Sequence, residues 1–206
     1  MSSANRGIAV DHHDWLSPSY VDAWIARDLT RDEERRLRLH GMLAEAPFAA
    51  DAEIAALDVG GGYGVVTEEV LRAFPRAVVT LQDYSQPMLD RARERLAAYG
   101  GRVEYAVGDL RDPKWTEAVG GPFDLAVSAI AIHNLRDLGQ IAASYRAVAG
   151  VLKPGGVFLD YDLFGLIGGI DAQMQTIRDA GFAAVDCLWQ EGRLAIIRAL
   201  RSSAAG

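Results

Sequence analysis

Cys187 is the only cysteine in this chain of 206 residues, so neither an intrachain disulfide nor a cysteine metal cluster can form. The thiol falls in an apolar run, Val185 to Trp189, that reads as a strand, and a buried, unreactive side chain is expected there. Long hydrophobic runs are missing too: nothing approaches the roughly 20 residues that a membrane-spanning helix needs. The N-terminal residues lack the apolar core of a signal peptide, so a cytoplasmic protein without membrane association is expected. Positive charge is scarce, with 21 Lys and Arg against 28 Asp and Glu for a net charge of −7, which disfavours nucleic acid as a partner. Arg27, Arg31, Arg35, Arg36 and Arg38 do crowd one segment. They are interleaved with Asp28, Asp32, Glu33 and Glu34, and the pattern predicts a solvated helix face. The adjacent His12 and His13 have no partners nearby in sequence, so they read as a surface pair and no metal site is expected.

Half of the chain is hydrophobic, enough for one good core and one domain with a small extension. Met1 to Asp14 is polar and unpatterned, and its first part is expected to be loose. Ser17-Pro18 reads as an N-cap with proline at the first helical position, and Tyr20, Val21, Trp24, Ile25 and Leu29 give that helix an apolar stripe. Thr30-x-x-Glu33 fits a capping box opening a second helix that stops before Pro47. From Ile54 onward strand and helix signals alternate, which predicts a parallel sheet covered on both faces. Strands are expected over 54–57, 77–82, 102–107, 123–128 and 157–161. The runs 184–189 and 194–200 then read as a closing hairpin turning at Glu191-Gly192.

The first strand runs into Leu57-Asp58-Val59-Gly60-Gly61-Gly62-Tyr63-Gly64. Glycines suit a sharp turn on which a ligand lies directly against the backbone, with the amides of the following helix N-terminus pointing at it. A dinucleotide fingerprint, Gly-x-Gly-x-x-Gly, fails here: counted from Gly60 its last position is Val65, and counted from Gly62 it is Thr67. Asp58, Gly60, Gly62 and Gly64 instead form Asp-x-Gly-x-Gly-x-Gly, which resembles the first motif of the class I S-adenosylmethionine (SAM)-dependent methyltransferases. Gln82-Asp83-Tyr84-Ser85, ending the second strand, resembles that family's second motif. Val107-Gly108-Asp109-Leu110 after the third strand, Ser128-Ala129 and the residues following at the fourth, and Leu152-Lys153-Pro154-Gly155-Gly156 before the fifth continue the resemblance over roughly 52–200.

The resemblance implies a single Rossmann-like α/β domain whose seven-stranded, mostly parallel sheet has an antiparallel last strand and helices on both faces. Residues 52–206 would be the SAM-binding domain and 1–51 an N-terminal helical extension. SAM would be the cofactor and S-adenosylhomocysteine the product. By the same resemblance Asp83 holds the ribose, Tyr84 packs on adenine, Asp109 with Gly108 and Leu110 meets the adenine edge, and the Ser128-Ala129 backbone approaches the sulfonium. A carboxylate at position 83 can accept hydrogen bonds from both ribose hydroxyls, which a neutral side chain would hold less firmly.

His133 is the candidate catalytic base, because an imidazole titrates near neutrality and can take a proton from the acceptor. Asp160 and Asp162, at the end of the fifth strand, are further candidates for the substrate side. Only a short segment, 163–170, follows that strand, so Tyr20 and Trp24 of the N-terminal helices, with Trp15, are expected either to cover the acceptor or to anchor those helices to the core. A short loop also leaves room for a bulky acceptor, or for a site completed in a homodimer. The expected activity is methyl transfer to an oxygen, nitrogen or carbon of a small molecule. The rivals are a SAM-binding enzyme with other chemistry and a catalytically silent partner subunit.

Overall fold

The structure, a computed structural model, describes residues 13–202. Its elements in chain order are α1 (Pro18–Asp28), α2 (Asp32–Leu43), β1 (Ala55–Val59), α3 (Val65–Ala73), β2 (Val78–Asp83), α4 (Gln86–Arg95), β3 (Val103–Val107), α5 (Trp115–Val119), β4 (Phe123–Ala129), α6 (Leu138–Val151), β5 (Leu152–Asp162), α7 (Ile170–Asp179), β6 (Phe182–Glu191) and β7 (Leu194–Arg201). They form one seven-stranded sheet in the order β3-β2-β1-β4-β5-β7-β6. The strands pair in parallel up to β5, while β7 is antiparallel to both of its neighbours, β5 and β6. The order reverses between β1 and β4, and an open α/β sheet offers its binding crevice at the carboxyl ends of the strands at such a reversal.

Two apolar layers sandwich the sheet. One takes in Val70, Leu71, Leu81 and Leu89 with α3 and α4, and also Val21, Leu39, Met42 and Leu43 from α1 and α2. The other takes in Leu57, Phe158, Tyr145, Val148 and Ile177 under α6 and α7. The two N-terminal helices therefore belong to the core. Ser17 caps α1 by accepting from the Tyr20 amide at 3.4 Å, as its sequence predicts. Thr30 does not cap α2: its hydroxyl donates to the Arg27 carbonyl at 2.7 Å within a 3-10 turn, Leu29–Arg31. A hydroxyl turned back onto the preceding helix does not face the amides of the next one.

Two surface expectations fail. Arg35 and Arg36 are not solvated, with side chains 15% and 21% exposed. Arg35 donates to Asp28 and to the Tyr63 hydroxyl, and Arg36 pairs with Glu68 and with the fully buried Glu69. Their salt bridges lock α2 onto α3 and the glycine turn. Cys187 is exposed instead of buried, because β6 is an edge strand whose register shifts between Cys187 and Trp189. His12 and the first part of the segment expected to be loose lie outside the described residues. His13 is half-buried and stacks on Trp15 with ring centroids 4.9 Å apart.

Candidate active site

A cleft of about 780 Å³ opens over the carboxyl ends of β1, β2, β4 and β5. Its floor is the turn after β1. At Gly60, with φ of +66°, an added Cβ would lie 2.6 Å from the Cβ of Ala131, so the turns after β1 and β4 touch and only glycine fits. Gly62 takes a φ of +54°, a Cβ there would meet nothing closer than 3.9 Å, and its amide donates to Asp83 Oδ2 at 2.9 Å. Gln82 ties the turns together: its Oε1 accepts from the Gly60 amide at 3.0 Å and its Nε2 donates to the Gly108 carbonyl at 2.5 Å.

Asp83 lies against the cleft and is 9% exposed. Its Oδ1 accepts from the Ser85 amide and its Oδ2 from the Gly62 amide, and a carboxylate with about four acceptor sites keeps capacity for a ligand. Burial pushes its carboxyl up to about 6. A ligand that brings two hydroxyls would restore the charged form, and vicinal ribose hydroxyls are such a ligand. Tyr84, Asp109 and Leu110 line the same end of the cleft, with the Arg111 guanidinium 5.6 Å from the Tyr84 ring centre and 3.0 Å from Asp109. An open glycine turn beside a carboxylate with spare acceptor capacity fits an adenosyl ligand: Asp83 would take the ribose, and Tyr84, Asp109 and Leu110 would border the base.

Other residues from the motifs stand behind this surface. Asp58 is fully buried, its Oδ2 accepting from Thr67 Oγ1 at 2.7 Å, and burial pushes its carboxyl up to about 7. Its oxygen also sits where a Cβ on Gly61 would fall, at 2.7 Å, so Asp58 props the turn from behind. Gly64 begins α3 against Leu96, and Gly108 packs against Trp115. Ser128 gives its hydroxyl to the Val59 carbonyl at 3.1 Å, while Ala129 reaches the cleft.

At the other end, the chain leaving β4 is bent. Ile130 has φ of 53° and Arg136 of 58°, a backbone shape that strains a β-branched side chain such as Ile130. The bend turns His133 into the cleft, its side chain 12% exposed. Its Nδ1 lies 2.5 Å from Asp162 Oδ1, and its backbone amide donates to Asp162 Oδ2 at 2.9 Å. An ionised carboxylate only accepts, so Nδ1 carries the hydrogen and Nε2 keeps the lone pair.

Asp162 thus orients His133 and does not line the cleft. Asp160 misses the cleft as well, correcting the expectation that it faces substrate: it is 0% exposed beneath α6. Alternation along β5 sends Tyr161 to the cleft and both aspartates to the opposite face. Tyr20 does not line the cleft. It meets the Trp15 ring at 5.5 Å and His13 Nδ1 at 2.5 Å, whereas Trp24 reaches the cleft. Arg35, Tyr63, Leu163 and Leu194 complete that end. The sequence motifs did not single out these four, and only the aromatic character of Tyr63 within the glycine turn was a usable signal.

Over the mouth runs a line of rings: His13 on Trp15, Trp15 edge-on to Trp24 at 5.2 Å, and Trp24 edge-on to Tyr63 at 6.2 Å. The Trp15 carbonyl accepts from the Ser85 hydroxyl, which also caps α4.

Comparisons with known proteins bear on the family and the fold. Residues 56–156 match the family described as "Methyltransferase domain". A trans-aconitate 2-methyltransferase of Rhodopseudomonas palustris is 32% identical over 135 residues, covering 65% of this chain and 48% of that protein. A malonyl-[acyl-carrier protein] O-methyltransferase of Neorickettsia risticii is 39% identical over 79 residues, 38% of this chain and 28% of that one. The chain thus spans less than half the length of these curated relatives. Among solved structures, an O-methyltransferase family protein from Burkholderia thailandensis superposes with a TM-score of 0.69 at 26% identity, covering 87% of this chain and 60% of the other.

Proposed function

The chain belongs to the class I, Rossmann-like S-adenosylmethionine-dependent methyltransferases, and we propose that it methylates a nucleophilic oxygen, nitrogen or carbon of a small-molecule acceptor, with His133 as general base. One observation supports the reading: His133 lines the cleft with Nδ1 committed to Asp162, which leaves Nε2 as the ring atom available to an acceptor.

When bound, S-adenosylmethionine supplies an electrophilic methyl carbon. The chain's part is to place an acceptor in line with it and remove the acceptor's proton. Trp24, Tyr63, Tyr161, Leu163 and Leu194 would provide the apolar walls. Alignment of this kind contributes about 7–11 kcal/mol to a barrier, and a positioned base about 10²- to 10⁴-fold in rate. His133 Nε2 takes the proton as the acceptor's lone pair is used, and Asp162 stabilises the resulting imidazolium. The strap of rings from His13 to Tyr63 acts as a lid that keeps water from the cleft. No helix among the described residues is long and apolar enough to cross a membrane.

The test is His133→Ala, assayed with an acceptor found by screening small hydroxy, amino and carbon acids. Turnover is expected to fall about 10²- to 10⁴-fold while the dissociation constant for S-adenosylhomocysteine changes less than about twofold. Undiminished turnover on that acceptor removes His133 as base.

A further inference from the structure

Beneath the His133–Asp162 pair lies a second carboxyl. Asp160 and Asp162 project from the same face of β5, and Asp160 has Ser128 of β4 and Ile197 of β7 beside it across the sheet. Neither of its oxygens has a hydrogen-bond partner among the described residues, although it is fully buried. The groups around it add no positive charge. Ser128 gives its hydroxyl to the Val59 carbonyl, Ile197 is apolar, and α6 contributes Tyr145, whose buried hydroxyl is also unpartnered. Asp162 is the one charged neighbour, and His133 lies beyond it.

The two carboxyls are unequally provided for. Asp162 accepts from the amides of His133 and Leu163 and from His133 Nδ1, three donors that favour its charged form. Asp160 has no donor, and a second negative charge beside the first, in an apolar layer, would be uncompensated. A carboxylic acid is tolerated where a carboxylate is not, so of the two Asp160 is the one that keeps its proton.

We propose that Asp160 is a positioning residue that works through Asp162: by remaining a neutral acid it leaves Asp162 as the single charge of the pair, and it thereby sets how tightly His133 holds the proton taken from the acceptor. The proposal rests on His133 acting as the base. Burial and the charge of Asp162 both push the Asp160 carboxyl well above the usual carboxylate range, as the geometry requires. The neutral acid is the polar neighbour that tempers Asp162. Without it Asp162 becomes more basic, and the imidazole that it faces binds a proton more firmly.

Two variants of the full chain test this, each read by NMR titration of the His133 imidazole and by thermal unfolding across pH. In Asp160→Leu, which removes the acid, the titration midpoint is expected to rise by about half to one pH unit, the effect of a buried carboxyl dipole acting through a low dielectric. The acid limb of kcat/KM should move with it. Asp160→Asn, neutral and polar like the protonated acid, should return the midpoint to within about 0.2 units of the parent. Its Tm should exceed the parent's by about 3 °C or more at pH 8, with the gap closing towards pH 4. The direction follows from linkage: the folded chain keeps a proton that the unfolded chain releases near its ordinary value of 3.8, so the acid costs stability as pH rises above that value. A lower Tm for Asp160→Asn at pH 8 would mean that Asp160 is ionised, and an unmoved midpoint in Asp160→Leu would mean that it does not act through Asp162. Either result overturns the proposal. The midpoint needs no turnover to be measured, so a failure of His133 as base shows up separately, in His133→Ala.

Discussion

The adenosyl half of the cleft and its acceptor half differ in where their residues come from and in what holds them. Gly60 to Gly62, Asp83 with Tyr84, and Asp109 to Arg111 each sit in a short segment at one strand's end. Backbone amides do most of the fixing there: Gly62 and Ser85 hold Asp83, and Gly60 is held by Gln82. The acceptor half draws Trp24 from α1, Arg35 from α2, His133 from a strained turn after β4, Tyr161 from β5 and Leu194 from β7. Side chains hold one another there, as when Tyr63 and Arg35 both donate to Asp28. A cofactor common to many enzymes can be served by a fixed backbone frame, whereas a particular acceptor calls for side chains that vary. Changes in the first half should therefore act on adenosyl affinity, and changes in the second on turnover and acceptor KM.

The sharpest way to break that contrast is Asp83→Ala. It removes the acceptor of two hydroxyl hydrogen bonds and also frees the Gly62 and Ser85 amides. Hydrogen bonds to a charged group contribute about 1.5–3 kcal/mol each, so titration calorimetry with S-adenosylhomocysteine should show affinity falling by about 10²-fold or more. If affinity holds, Asp83 does not bind the ribose, and the contrast fails in its first half.

The same contrast explains how much could be read from the sequence. The glycine turn and the placement of Asp83 and Asp109 beside it were legible because each is a local pattern at the end of a strand. His133 was legible as a residue type at such an end. The partition of Asp160 and Asp162 was not, since both face the same way and which of them touches the histidine depends on where the turn after β4 meets the end of β5 and on α6 packing over the other. Arg35 and Arg36 looked solvated because their partners, Tyr63, Glu68 and Glu69, lie some 30 positions away, as the separations of 28, 32 and 33 residues show. The exposure of Cys187 follows from its place on an edge strand, which the apolar run around it does not reveal.

A smaller effect comes from pH. Burial raises the Asp83 carboxyl to about 6, and hydroxyl donors bind its charged form better, so adenosyl affinity should be flat above pH 7 and weaken below 6. The slope approaches about tenfold per pH unit once the acid form dominates. Asp83→Asn should abolish the slope. An unchanged slope in that variant would assign it to another group and remove Asp83 as its source.

The smallest expected effect lies where the two halves meet. Trp15 touches His13, Tyr20 and Trp24 through its ring, and meets Ser85 of the adenosyl half through its backbone carbonyl. Trp15→Ala removes the ring contacts and leaves the carbonyl in place. Aromatic pairs of this kind contribute about 0.5–1.5 kcal/mol each, so the strap should open more often without being lost. Acceptor KM is then expected to rise about 2- to 10-fold, with S-adenosylhomocysteine leaving a few-fold faster and Tm changing little, because the core beneath is anchored by Val21, Leu39 and Met42. If the ring only anchored α1, the pattern would invert: Tm would fall while KM and the release rate stayed put. Stopped-flow release of S-adenosylhomocysteine alongside a melting curve separates these outcomes. A coupled rise in KM and release rate would show that one strap serves both halves of the cleft.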